Sequence, residues 1–248
     1  MCRLFLQVGK NVSTSVYQDF LDACSDYSGG LKKDVHEHNE NKLFNHVDGY
    51  GYSYIHNEHY EVRRFNESIC ERHPIPEWEK IQSPILLAHA RRASPNIAVK
   101  LSNNHPFYWY NGDEYVFVHN GTVTSQINNY NKDRFFLKGT TDSERYFYSV
   151  LTSLRENDWT MKKSLIDSIV ADWDYTGANF ILASREKAWV GSYYSKNPLY
   201  YTMKLYDTED SLVISSSKLE SLGKPRELLT NSTLIEINLK EIVYYYLD

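Results

Sequence analysis

Two helical stretches, Asp142 to Leu154 and Met161 to Trp173, stand in the middle of a chain whose flanks read as short strands. Strands before and after a central helical pair predict an α+β protein with mostly antiparallel sheet. On the N-terminal side, Cys2 to Val8 is β-compatible, and Val16 to Tyr27 carries Val16, Phe20 and Ala23-Cys24 at helical spacing behind the N-capping run Ser13-Thr14-Ser15. His46 to His56 alternates, turns at Asn57-Glu58 and returns through Tyr60 to Phe65. Pro84 to Arg91 reads as a buried strand ending in charge, and Tyr108 to Val118 as a hairpin turned at Asn111-Gly112-Asp113. The C-terminal strands are expected at Asn179 to Ser184, Ala188 to Tyr194, Leu199 to Tyr206, Leu212 to Ser216 and Thr233 to Tyr246. Twenty-one tyrosines suit half-buried sheet faces.

The 248 residues show no linker and no break in composition, so one domain over 1–248 is expected. A net charge of −5 offers no footprint for nucleic acid. No apolar run approaches the roughly 18 residues of a membrane span. The opening strand meets Gly9-Lys10-Asn11 too soon for a secretory signal. Three cysteines, Cys2, Cys24 and Cys70, argue against a disulfide framework and for a reducing, cytoplasmic setting. The sequons at Asn11, Asn66, Asn120 and Asn231 are then chance matches.

Several clusters carry possible chemistry. His36-Glu37-His38, with His46, His56 and His59, lies in or near a polar stretch without the helix-borne spacing of a zinc enzyme, so a solvated loop is expected and no metal. Cys2 becomes the first residue if Met1 is removed. Thiol and α-amine would then share one residue, and an amine with an ordinary pKa of about 7.7–8.0 can take the thiol proton near neutrality. Arg91 ends an apolar strand, where it is either a surface charge or a bidentate carboxylate clamp. Asn120-Gly121 reads locally as a tight turn, but an amide NH2 beside an unhindered backbone N–H could also face an oxyanion. Thr141 and Glu144 form a capping box around Asp142, which a rigid helix start would aim outward at an ammonium group.

These sites follow one another as Met-Cys-Arg, Asp-Gly-Tyr-Gly, Ala-Arg-Arg-Ala-Ser, Asn-His-Pro-Phe, His-Asn-Gly and Gly-Thr-Thr-Asp-Ser-Glu. In that order, between Cys2 and Glu144, the sequence resembles the class II glutamine amidotransferases of the N-terminal-nucleophile (Ntn) hydrolase superfamily. It looks nearest to the stand-alone branch that includes γ-glutamyl hydrolases. The resemblance implies a four-layer αββα sandwich of two mostly antiparallel sheets. It also implies that Cys2 attacks a γ-carboxamide with its own α-amine as base, and that Asn120 and Gly121 form the oxyanion hole. Arg91 would hold the substrate α-carboxylate and Asp142 its α-ammonium, with Ser94 and His105 completing the substrate pocket. No cofactor is implied.

Two departures bear on the substrate. Arg92 stands where synthase-linked members often carry tryptophan, and Ser94-Pro95 where they often carry Thr-His, so the leaving group need not be ammonia. Nor is a synthase domain expected within these 248 residues. The expected activity is therefore hydrolysis of glutamine or another γ-glutamyl amide. The alternatives are a glutaminase subunit feeding a separate synthase partner and a catalytically silent γ-glutamyl-binding module.

Overall fold

The structure is a computed structural model, and it describes residues 2–25, 45–72, 75–94 and 96–248. Thirteen strands are β1 (Arg3–Gly9), β2 (Tyr50–His56), β3 (His59–Phe65), β4 (Ile85–Ala90), β5 (Phe107–Asn111), β6 (Asp113–Val123), β7 (Tyr175–Ala183), β8 (Lys187–Ser192), β9 (Met203–Asp207), β10 (Ser211–Ser215), β11 (Glu227–Leu229), β12 (Thr233–Asn238) and β13 (Val243–Tyr246). They form a seven-stranded sheet in the order β11-β9-β10-β1-β4-β2-β3 and a six-stranded sheet in the order β13-β12-β8-β7-β6-β5. Their pairings are antiparallel.

Strand alternation builds three apolar layers. Leu4, Leu6 and Val8 of β1 point inward against Val116 and Val118 of β6, Ile181 of β7 and Val190 of β8. Phe5 points the other way, into a cluster with Val16, Phe20, Cys24 and Trp78, which places the helix Thr14–Ser25 on the outer face of the first sheet. Phe117 and Phe180 face outward from the second sheet onto Tyr146, Phe147, Leu151 and Ile166, from the helices Asp142–Glu156 and Lys163–Val170. Three cores between four layers make an αββα sandwich, because each two-faced sheet needs apolar cover on both sides.

Some boundaries moved. The stretch Leu199 to Tyr206, expected as one strand, starts as a short helix Pro198–Tyr201 before β9. Proline opens this helix well, and Asn197 in left-handed backbone turns the chain into it. Thr233 to Tyr246 is not one strand but the β12–β13 hairpin. Asn238 breaks it by accepting from the N–H groups of Lys240 and Glu241 at 2.9 and 3.1 Å. The second helix is shorter than expected, Lys163–Val170. Asn57 and Glu58 do form the β2–β3 turn, with φ of 49° and 67°. Among the described residues, no helix is long and apolar enough to cross a membrane.

Candidate active site

Four consecutive residues at the end of β6 gather the site. Asn120 accepts the Cys2 N–H through Oδ1 at 2.8 Å. Gly121 presses against the Gly177 carbonyl so closely that a Cβ there would fall inside it. Thr122 Oγ1 meets Ser94 Oγ at 3.3 Å. The Val123 N–H donates to Asp142 Oδ2 at 2.7 Å. The local turn expected at Asn120-Gly121 is therefore absent: both residues lie inside β6, opposite Asn179 and Ala178 of β7. The β6–β7 register then slips, Val123 pairing Tyr175, and the slip brings the Gly177 carbonyl onto Gly121.

Cys2 lies at the head of β1, 7% exposed, with Sγ 3.9 Å from the Arg92 carbonyl oxygen. Since β1 belongs to the first sheet and β6 to the second, the Cys2–Asn120 bond ties the sheets together at this mouth. Asn120 is fully buried, and with Oδ1 engaged by Cys2 its Nδ2 has no partner among the described residues. A buried amide NH2 left without an acceptor is costly unless something else supplies one.

Arg91 follows β4 and is buried, its Nη1 donating to the Asp48 carbonyl at 3.2 Å. Asp48 also accepts the Ala93 N–H through Oδ2 at 2.8 Å, so the Asp-Gly-Tyr-Gly motif moulds the chain just after the arginine. Burial lowers the Arg91 pKa from the ordinary arginine value, and the negative partners Cys2, Asp48 and Asp142 act against that shift. The arginine, the thiol and Asp142 thus share one neighbourhood.

Asp142 opens its helix behind Thr141, whose hydroxyl oxygen accepts the Glu144 N–H at 3.3 Å. Only this half of the expected capping box has the usual form. The Glu144 carboxylate instead accepts the N–H groups of Lys138 and Gly139, each at 2.8 Å, and so braces the loop leading into the helix. Asn103 braces the same loop, its Oδ1 accepting the Thr140 N–H at 2.9 Å.

His105 is 3% exposed, its ring 4.0 Å from that of His89 and edge-on to Phe107. Burial lowers its pKa well below the usual histidine value, with the neighbouring His89, His119 and Arg91 acting in the same direction, so it sits neutral. His89 Nε2 donates to the His119 carbonyl at 3.1 Å. His119 in turn has Nε2 3.3 Å from the Gly177 carbonyl and Nδ1 2.9 Å from Ser143 Oγ. A carbonyl can only accept, so Nε2 carries the proton and Nδ1 accepts from Ser143. His46 is buried and bonded to Cys24 O, while His36, Glu37 and His38 lie outside the described residues. Among the described residues, no three His, Cys, Asp or Glu side chains are grouped to hold a metal ion.

Sequence reading did not single out Tyr200, whose hydroxyl donates to the Cys2 carbonyl at 2.7 Å. It also passed over Asp48, His119 and Gly177. His119 and Asp48 had a signal, since each stands in a quoted motif. Tyr200 and Gly177 had none, because their partners are remote in the chain.

The profile of the family described as glutamine amidotransferases class-II matches residues 24–205, most of the chain, and the chain belongs to that family. The match begins downstream of Cys2 and contains Arg91, Ser94, His105, Asn120, Gly121 and Asp142. The fold is shared with the glutamine phosphoribosylpyrophosphate amidotransferase of B. subtilis, at a TM-score of 0.67 and 13% identity, covering 99% of this chain and 49% of that one. It is shared as well with a glutamine aminotransferase class-II domain protein of Silicibacter pomeroyi, at a TM-score of 0.57 and 13% identity over 99% of both chains. An uncharacterized protein of Methanocaldococcus jannaschii is 36% identical over 106 residues, 41% of this chain and 29% of that relative. The chain thus spans under a third of that relative and about half of the B. subtilis enzyme.

Proposed function

We propose that this chain, as one amidotransferase domain, hydrolyses the γ-amide of glutamine or of a γ-glutamyl compound through a Cys2 thioester. The observation that carries this reading is the Asn120 amide: its oxygen holds the Cys2 N–H and its buried NH2 has no partner. Once Met1 is removed, the Cys2 amine takes the thiol proton and Sγ attacks the amide carbon. The oxygen that becomes negative is met by Asn120 Nδ2 and the Gly121 N–H, donors already in place before the charge develops. The amine passes the proton to the departing nitrogen, which leaves as ammonia or an amine. Water then cleaves the thioester, with the same amine as base. Arg91 faces the substrate α-carboxylate and Asp142 the α-ammonium, a pair of opposite charges matching the two groups on one carbon. Ser94 closes the pocket from its bond to Thr122, and His105 supports it through its ring contact with His89 on β4, the strand that leads to Arg91.

The family's description as amidotransferases favours a second reading, in which ammonia passes to a separate synthase partner. The test of the main reading is an intact mass before and after 6-diazo-5-oxo-L-norleucine, an alkylating glutamine analogue. Loss of Met1 and one adduct on Cys2 supports it. A processed chain that takes no adduct overturns the pocket, and a chain that keeps Met1 in a competent host points to the silent binding module.

A further inference from the structure

The ladders of β1 stop short of the nucleophile. Arg3 pairs Ala90 on one side, and beyond the Phe5–Ser215 pair on the other, Leu4 N–H reaches Ser216 Oγ at 2.9 Å. Cys2 lies past both, at a place where a chain end ordinarily frays. Its backbone is held instead by two side chains from elsewhere, Asn120 on the N–H and Tyr200 on the carbonyl.

These two holds share a foundation. Tyr200 sits in the helix Pro198–Tyr201, which docks on β7: Asn179 Nδ2 donates to the Tyr201 carbonyl at 2.6 Å, and the Tyr201 hydroxyl meets Thr176 Oγ1 at 3.0 Å. The Tyr201 ring covers Gly177 so closely that only glycine fits there, and Gly177 is the residue that packs on Gly121. The Tyr200 ring is buried, with the Arg3 guanidinium 4.5 Å from its centroid. A cation on the ring face draws electron density from the phenol and favours it as a donor.

We propose that Tyr200 is a positioning residue for the nucleophile: its bond to the Cys2 carbonyl, opposed by Asn120 on the Cys2 N–H, holds the thiol and the α-amine in register with the oxyanion donors. With both ends of its backbone pinned, Cys2 retains rotation of its thiol about the Cα–Cβ bond and little else. Loss of one pin lets the backbone turn, so that the thiol swings out of the rotamer beside its own amine and away from the oxyanion donors, which slows proton transfer and attack but leaves substrate contacts alone. The role rests on Cys2 being the nucleophile and is independent of the substrate.

The test compares wild type with Tyr200→Phe, which removes one oxygen and keeps the ring under Arg3. A second substitution, Tyr200 to p-aminophenylalanine, restores a donor of similar reach. Tyr201→Phe loosens the same helix without touching Cys2 and serves as control. Two readouts are taken: kcat and KM for glutamine, and the rate at which iodoacetamide alkylates Cys2, followed by intact mass. In Tyr200→Phe, kcat is expected to fall about 10- to 100-fold with KM within about twofold, as for a misaligned nucleophile. Alkylation is expected to slow at neutral pH and to match wild type at strongly alkaline pH, where no base is needed. The p-amino variant is expected to recover most of the rate, and Tyr201→Phe to resemble wild type.

A merely structural role moves alkylation the other way, because looser packing exposes a nearly buried thiol and speeds its reaction. Faster alkylation, an unchanged kcat, or no recovery in the p-amino variant overturns the proposal. If wild type does not hydrolyse glutamine, the proposed substrate fails, and the alkylation readout still decides the role of Tyr200.

Discussion

Asn120 holds the backbone of Cys2 with one end of its amide and leaves the other end buried without a partner. In the proposed reaction one side chain would therefore both fix where the thiol stands and accommodate a negative oxygen, with no rearrangement between the two tasks.

Asn120→Ala removes both functions. We expect kcat for glutamine hydrolysis to fall about 100-fold or more with KM nearly unchanged, the usual result of losing an oxyanion donor. Asn120→Asp should be at least as damaging, since its carboxylate can still accept the Cys2 N–H but repels the developing charge. Steady-state kinetics decide it; an unchanged kcat in Asn120→Ala would remove Asn120 from the mechanism.

Asp142→Asn is a cleaner probe of substrate charge than truncation. The amide oxygen can still accept the Val123 N–H, so the end of β6 stays in place and only the charge is lost. KM for glutamine should rise roughly 10- to 100-fold, the scale of one charged hydrogen bond, with melting temperature nearly unchanged. Arg91→Ala should raise KM similarly but also lower stability, because it empties a buried site. An unchanged KM in both variants argues against the paired clamp.

Gly121→Ala tests the strand rather than the chemistry. Its Cβ would collide with the Gly177 backbone, which no side-chain rotation relieves. A loss of about 1–3 kcal/mol in urea unfolding is expected, along with lost activity as Asn120 is displaced. Retention of full stability would show that the β6–β7 slip is softer than its packing implies.

Stability should fall on mild acidification. Burial holds the His89 pKa at about 3 against an ordinary value of 6.5, and it lowers those of His105, His119 and His46 in the same direction. Between about pH 6.5 and 3 the unfolded chain binds a proton at His89 that the folded chain refuses, so stability rises with pH in that window. The contribution is complete above about pH 6.5 and is lost progressively below it, at about 1.4 kcal/mol per pH unit for one histidine. Melting temperatures from pH 7 to 5 should show the decline, and His89→Gln should flatten it. An equal slope in that variant would assign the effect to other groups.

Much of the fold was legible because it is periodic. The alternation in β2, the helical spacing in Asp142–Glu156 and the Asn57-Glu58 turn are short-range preferences that need no partner. The exceptions are instructive. Asn120-Gly121 carries the local signature of a turn, yet pairing with β7 keeps it extended. Glu144 has the spacing of a capping box, yet its carboxylate braces the preceding loop. In the first place a tertiary contact, and in the second a bond to the loop five and six residues upstream, outweighed a local preference worth about 1 kcal/mol.

The sequence by itself determined the strand and helix periods, the α+β class and, through six motifs in order, which residues were candidates for the site. Tertiary structure alone decided how they meet. Asn120 lies 118 residues from Cys2, and Tyr200 198 residues away, so no local pattern encodes their bonds. Those bonds exist because a sandwich closed by burying Leu4, Val116 and Ile181 between its sheets brings the head of β1 to the end of β6. Burial drives that closure without regard to direction, and the polar groups trapped at the mouth must then find partners in one another.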